Sequence, residues 1–218
     1  MILKTERLII RHITKEDWKS IKKIWVDFKS SKYVRYSTPH STNDEDVYAE
    51  IHKWERENKG TENKFFGVCQ NDSIIGYIVL HKQENAYEIG YSFHSDFHGK
   101  GYAKESVLAI LDYARELGIK RITAGAAINN IPSVALLKVL GFKQVGKERV
   151  SFYKDEFGND MVFEGGIFEL EIKDWVRKKQ RKLSVWRSNK FQVVNLFGKV
   201  NFISNKRIKN KESDLTID

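Results

Sequence analysis

Apolar and polar positions alternate along Thr5-Glu6-Arg7-Leu8-Ile9-Ile10-Arg11, which predicts a first strand over residues 5–11. Thr14 followed by Lys15-Glu16-Asp17 reads as an N-cap with acids in the first turn. Trp18, Ile21, Ile24, Trp25 and Phe28 then recur at helical spacing. Residues 30–42, with Tyr33, Tyr36 and Pro39, lose the period and read as a loop. A second helix is expected from near Asn43 to about Asn58, with Val47, Ile51 and Trp54 on its apolar face and Gly60 beyond its end. Residues 65–69 and 74–80 are apolar runs of strand length, joined by Asn71-Asp72 as a hairpin turn. Residues 86–93 predict the next strand. After a glycine-spaced turn, Val107, Leu108, Leu111, Ala114 and Leu117 mark a helix that stops at Gly118. Residues 121–126 form a strand, and Asn129-Asn130-Ile131-Pro132-Ser133 opens a short helix through Val139, with Pro132 tolerated in the first turn. Gly141-Phe142 closes it, and residues 142–150 and 162–170 are the final strands, paired across 155–160. The order is strand, two helices, three strands, helix, strand, helix, two strands. It predicts an α/β (α+β) fold, a mixed and mostly antiparallel sheet flanked by helices, with no internal repeat.

One stretch carries chemistry. Glu88-Ile89-Gly90-Tyr91-Ser92-Phe93 alternates, His98-Gly99-Lys100-Gly101-Tyr102-Ala103 turns, and a helix follows. Glycines let the backbone approach a ligand closely. The free N–H groups of the first helical turn then face an anion, helped by the helix dipole. Strand, loop and helix start therefore form a cradle for a diphosphate. The third glycine of a dinucleotide-binding GxGxxG is missing, and no GxxxxGK[ST] occurs.

Composition narrows the classes. With 218 residues, 41% of them hydrophobic and 12% aromatic, the chain can build one packed domain with an extension. The single cysteine, Cys69, cannot form an internal disulfide, and the spacing of the six histidines suits no metal, so no metal is expected. The charged start, Met1 to Arg7, is unlike a signal peptide, and no apolar run approaches the roughly 20 residues of a membrane span. A cytoplasmic location is expected. The formal charge of +9 is uneven: residues 173–218 hold 13 Lys/Arg and 4 Asp/Glu, whereas residues 1–172 hold 25 of each. This sets a boundary between a domain at 1–172 and a basic extension at 173–218. The extension reads as a helix over 173–183, a hairpin over 191–203 and a frayed end. Its charge and interleaved aromatics offer a surface for nucleic acid or a ribosome, and equally a solvated segment packed on the domain or on a second subunit, so a homodimer stays open.

His98-Gly99-Lys100-Gly101-Tyr102-Ala103-Lys104-Glu105 resembles the acetyl-CoA loop of the GNAT acyltransferases, in the RimJ/RimL-like branch, which reads roughly W-G-x-G-Y-A-x-E. The opening Thr5-x-Arg7-Leu8-x-Ile10-Arg11 resembles the T-x-R-L-x-L-R start of that branch. Asn130-x-x-Ser133 with Gly141-Phe142 resembles its N-x-x-S…G-F motif. The resemblance covers about residues 3–172. Asp96 and His98 depart from the family's Gln/Arg and Trp, but the cradle is backbone and survives both changes. The resemblance implies the GNAT fold and an N-acetyltransferase that uses acetyl-CoA as co-substrate. The acceptor would be a protein N-terminal amine or a small amine, attacking directly without an acyl-enzyme. It further implies that Phe93 and His94 offer backbone groups to the pantetheine arm, that Asn130 holds the arm through its amide, and that His98 through Ala103 hold the diphosphate. A non-catalytic acyl-CoA sensor with a basic delivery tail is the alternative.

Acyl transfer needs a proton acceptor for the amine and a proton for the departing thiolate. Glu88, sharing a strand face with Gly90 and Ser92, is either that acceptor or a salt-bridged strand residue. The tyrosine that serves many family members as acid is replaced by Leu137. Ser133 then either hydrogen-bonds the sulfur or only serves its own helix start, with Tyr91 and Tyr153 as other proton sources. Tyr33 and Tyr36 are the expected acceptor-site residues, and Asp44-Glu45-Asp46 either acidify that pocket or simply begin a helix.

Overall fold

In the computed structural model, which describes residues 1–172, the apolar runs at 65–69 and 74–80 are central strands with helices packed over both faces. That double burial is why they read as continuous rather than alternating. The sheet orders as β1 (Ile2–Lys4), β2 (Ile9–His12), β3 (Asn63–Gln70), β4 (Ser73–Lys82), β5 (Tyr87–Phe93), β6 (Arg121–Ala127), β8 (Phe163–Glu171), β7 (Lys143–Val150). Every neighbouring pair is antiparallel except β5 and β6. Asn71 and Asp72 both adopt positive φ, 46° and 65°, as the tight β3–β4 turn requires.

The first expected strand is corrected. Residues 5–8 are a turn, closed by Thr5 N–H donating to the Leu8 carbonyl at 2.9 Å, and the chain before it folds back as β1. The polar side chains at 5 to 7 are not one face of a strand; those of Thr5 and Arg7 reach Glu105, as described below.

Helices α1 (Trp18–Lys29) and α2 (Asp44–Glu57) cover one face. Ile21, Ile24, Trp25, Val47, Ile51 and Trp54 pack there on Phe65, Tyr77 and Val79. The other face carries α3 (Tyr102–Glu116) and α4 (Ile131–Leu140), whose Val107, Ile110, Leu111, Leu137 and Leu140 meet Phe66, Ile78, Leu80, Ile89 and Phe168. The expected cap at the first helix holds. Asp17 is buried, and its carboxylate accepts from Thr14 N–H at 2.8 Å and from both terminal nitrogens of Arg11 at 2.7 and 2.8 Å. The basic extension, with its expected helix and hairpin, lies outside the described residues. Among the described residues no helix is long and apolar enough to cross a membrane.

Candidate active site

The decisive feature of the backbone is a pair of neighbours that part. β5 and β6 run parallel, yet only Tyr87 with Ile122 and Glu88 with Thr123 are in register. Beyond them β5 continues along β4 to Phe93, while β6 continues along β8 to Ala127. A cleft of about 570 Å³ opens at this point and extends over the α1–α2 side of the sheet. Its floor includes Glu88 to Ser92 from one strand and Ala124 to Ala127 from the other.

Of the residues expected to do chemistry, Glu88 and Ser133 both line this cleft. In the turn before β5, Gln83 Nε2 donates to Glu88 Oε2 at 3.3 Å. Among the described residues Glu88 forms no ion pair. Ser133 stands in the first turn of α4, its Oγ 3.0 Å from the Tyr91 hydroxyl. Burial pushes the Tyr91 phenol above its usual range, more strongly than the Ser133 contact pulls it down, so the phenol keeps its proton at neutral pH. Asn130 caps α4, with Oδ1 accepting from Ser133 N–H at 3.3 Å, and also faces the cleft.

Phe93 and His94 end β5. The His94 N–H already donates to the Ile75 carbonyl at 3.0 Å, and the Phe93 carbonyl accepts from His98 Nε2 at 2.8 Å. The Phe93 carbonyl keeps a second lone pair, whereas the His94 amide is committed. His98 thus acts on its own loop, bracing the turn. Ser95 ties the same turn to α1, donating to Asp27 through its N–H at 2.8 Å and its hydroxyl at 2.6 Å.

The glycine loop takes the shape the sequence requires. Gly99 and Gly101 adopt φ of +72° and +80°, and Gly101 is the N-cap of α3. The first N–H that finds a helical acceptor is Glu105's, on the Gly101 carbonyl at 3.0 Å, leaving the N–H groups before it without intrahelical partners. No atom lies within 4 Å of where a Gly99 Cβ would be, so glycine is needed there for conformation, not for space. Tyr102 is buried, its hydroxyl bonded by Gln70. Lys100 reaches back over the Phe97 ring at 5.5 Å.

Tyr33 and Tyr36 line the cleft. Tyr36 sits edge-on to Phe163 at 5.0 Å, and Phe163 meets Phe152 at 5.8 Å, so the α1–α2 loop and the β7–β8 connection both pack on the start of β8. Asp44, Glu45 and Asp46 do not acidify the cleft: Asp44 pairs with Lys22, Asp46 accepts from Ser41 Oγ at 2.7 Å, and all three start α2. The carboxylates that do line it are Glu50, Glu57 and Glu88, with Lys53 as the lysine among them. His40 stacks on Trp25 at 4.3 Å, and burial holds its pKa below the usual value, so it adds no charge at pH 7. Cys69 is buried away from the cleft, and burial pushes its thiol up despite the nearby Arg11, a poor environment for an acyl carrier.

Sequence reasoning missed three groups. Arg7 belonged to a quoted motif but had no assigned partner. Glu50 and Glu57 are spaced seven apart on one helix face, a legible signal, but nothing in the pattern said that this face bordered a cleft. Phe152 carried no signal.

The family model described as Acetyltransferase (GNAT) domain matches residues 7–143. The chain belongs to the GNAT acetyltransferase family. Similar to it is the uncharacterized N-acetyltransferase YnaD of Bacillus subtilis, 35% identical over 152 residues, which are 67% of this chain and 85% of that one. Among solved structures, a GNAT-family acetyltransferase from Bacillus anthracis is 28% identical with a TM-score of 0.64, over 79% of this chain and 99% of that one. A Salmonella typhimurium acetyltransferase that modifies the N-terminal serine of ribosomal protein L7/L12 shares the fold, with a TM-score of 0.69 at 15% identity over 78% and 99% of the two chains. The GNAT fold expected from the three motifs is therefore the fold of this acetyltransferase.

Proposed function

We propose that this acetyltransferase moves the acetyl group of acetyl-CoA onto a compact primary amine by direct attack. The observation that carries the reading is the parting of β5 from β6 beside a helix N-terminus, with Glu88 and Tyr91 on the parting strand β5 and Ser133 meeting Tyr91 from α4. The glycine loop before α3 suits the diphosphate, whose charge the unpaired N–H groups would balance. The open edge of β5 and Asn130 suit the arm. Acetyl-CoA supplies the activated acyl group.

The chain's own groups then have distinct tasks. Glu88, without a cation of its own among the described residues, accepts the proton of the incoming ammonium, directly or through one water. Ser133 Oγ donates to the departing sulfur, Tyr91, held protonated by burial, replaces the proton on Ser133, and the second proton shed by the attacking nitrogen restores the Tyr91 phenol. The closing proton transfer thus comes from β5, not from the α4 position where Leu137 stands.

Charge and shape favour a small cationic acceptor over a protein terminus. Glu50, Glu57 and Glu88 outnumber Lys53 on the cleft wall, and the volume is that of a small-ligand site. Tyr36 and Phe152 both line the cleft and both contact Phe163, which adds aromatic wall on that side. The protein N-terminus, which the Salmonella neighbour uses, is the second reading. A thiol-release assay with acetyl-CoA against polyamines, amino sugars and N-terminal peptides tests this. Turnover with small amines supports the proposal, peptide-only turnover transfers it to the second reading, and CoA binding without turnover of any amine favours a sensor.

A further inference from the structure

Two motifs about a hundred residues apart meet on the back of the glycine loop. Thr5 and Arg7, in the turn between β1 and β2, both reach Glu105 in the first turn of α3. Thr5 Oγ1 donates to Oε1 at 2.6 Å and Arg7 N–H to Oε1 at 3.0 Å. The Arg7 guanidinium donates to Oε2 through Nε at 2.7 Å, with Nη2 2.6 Å away. The remaining guanidinium nitrogen, Nη1, donates to the Lys100 carbonyl at 3.0 Å. The group also lies over the Tyr102 ring, 4.5 Å from its centre, and Nη2 is 3.5 Å from where a Gly101 Cβ would be.

Lys100 stands between two glycines in left-handed conformation. Such a loop is free to move, and ordering it on binding would cost affinity. Its carbonyls are also a hazard, since one turned inward would face an anion with its negative end. Arg7 removes both problems together. It engages the Lys100 carbonyl in a hydrogen bond, so that oxygen is tied to a cation and is not free to turn toward an anion. It also neutralises Glu105, whose side chain is only 18% exposed and whose charge, at the start of α3, would otherwise repel a diphosphate.

We propose that Arg7, held by Glu105 and Thr5, is a positioning residue that pre-shapes the diphosphate cradle from behind. The inference rests on the acetyl-CoA reading above. It makes the short β1–β2 turn part of the cofactor site, although it contributes no floor to the cleft.

The test compares Arg7→Met, Arg7→Lys and Glu105→Gln with the wild-type chain. Calorimetry with CoA, the split between KM for acetyl-CoA and kcat, and amide exchange over residues 99–103 without ligand are the readouts. Arg7→Met is expected to weaken CoA binding about tenfold and raise KM for acetyl-CoA equally, with kcat at saturation within about twofold. Its loop amides should exchange about tenfold faster. Arg7→Lys, keeping the charge without the fork, should fall between, and Glu105→Gln should follow Arg7→Met. Unchanged CoA affinity and unchanged exchange in Arg7→Met overturn the inference, as does a fall in kcat with KM constant. If Arg7→Met does not fold, Glu105→Gln decides by the same criteria. If the wild-type chain binds no CoA, the acetyl-CoA reading fails, and the exchange data still decide whether Arg7 shapes the loop.

Discussion

The Tyr91 hydroxyl on β5 and the Ser133 hydroxyl on α4 lie 3.0 Å apart, joining a strand that parts from its neighbour to the helix beyond the gap. If the two deliver one proton, Tyr91→Phe and Ser133→Ala should each lower kcat by about 10²-fold. The double variant should be little worse than either, because the groups act as a unit. Burial raises the Tyr91 pKa, so the proton is present below that raised value and lost as pH climbs through it. The wild-type kcat should therefore hold across the neutral range and fall on the alkaline side, and Tyr91→Phe should lack that fall. Stopped-time thiol release across pH provides the check.

Glu88 is the cleft carboxylate without a cation beside it among the described residues. Glu88→Gln should cut kcat by about 10²–10⁴-fold. CoA affinity, measured by calorimetry, should stay within about twofold of wild type. An unchanged kcat would remove Glu88 from the proton path.

Glu50 and Glu57 flank Lys53 on α2 at 3.8 and 3.9 Å, one lysine between two carboxylates. Glu57→Gln should raise KM for a cationic amine about threefold to tenfold and leave KM for acetyl-CoA unchanged, with a smaller effect at high salt. Initial rates with each substrate varied in turn separate the two constants.

Arg11 and Asp17 make a two-pronged ion pair under α1. Burial pulls the Asp17 carboxyl up, but the hydrogen bonds from Arg11 and Thr14 outweigh it, and its pKa lies below the usual range. A depressed pKa adds stability above the unfolded value of about 4, and that stability is lost as pH falls through the folded value. Asp17→Asn should cost about 2 kcal/mol at pH 7. The gap to wild type should close on acidification, as urea unfolding at a series of pH values would report.

Much of this was readable from one strand of letters because several signals are local. Gly99 and Gly101 had to be where φ turns positive, Asn71-Asp72 where the hairpin closes, and Asn130 at a helix start, since each conformation suits few residue types. The strand count fell short at the beginning because the polar run Thr5 to Arg7 is a turn, in which Thr5 and Arg7 serve Glu105. Neither that contact nor the Tyr91–Ser133 pair has a local signature, since each depends on how distant elements are brought together. The same holds for the acidic wall. Asp44-Glu45-Asp46 is the denser cluster by composition, yet a helix start turned toward Lys22 and Ser41 claims it, while the sparser Glu50 and Glu57 border the cleft.

The seam between β5 and β6 is only two residues long, so the sheet is in effect a block of five strands and a block of three, stitched at Glu88 and Thr123. Further along, each block keeps a bare edge of peptide groups facing the other. On the reading proposed above, an amide-bearing arm lodged there would supply the missing rungs, and occupancy would stiffen the whole sheet.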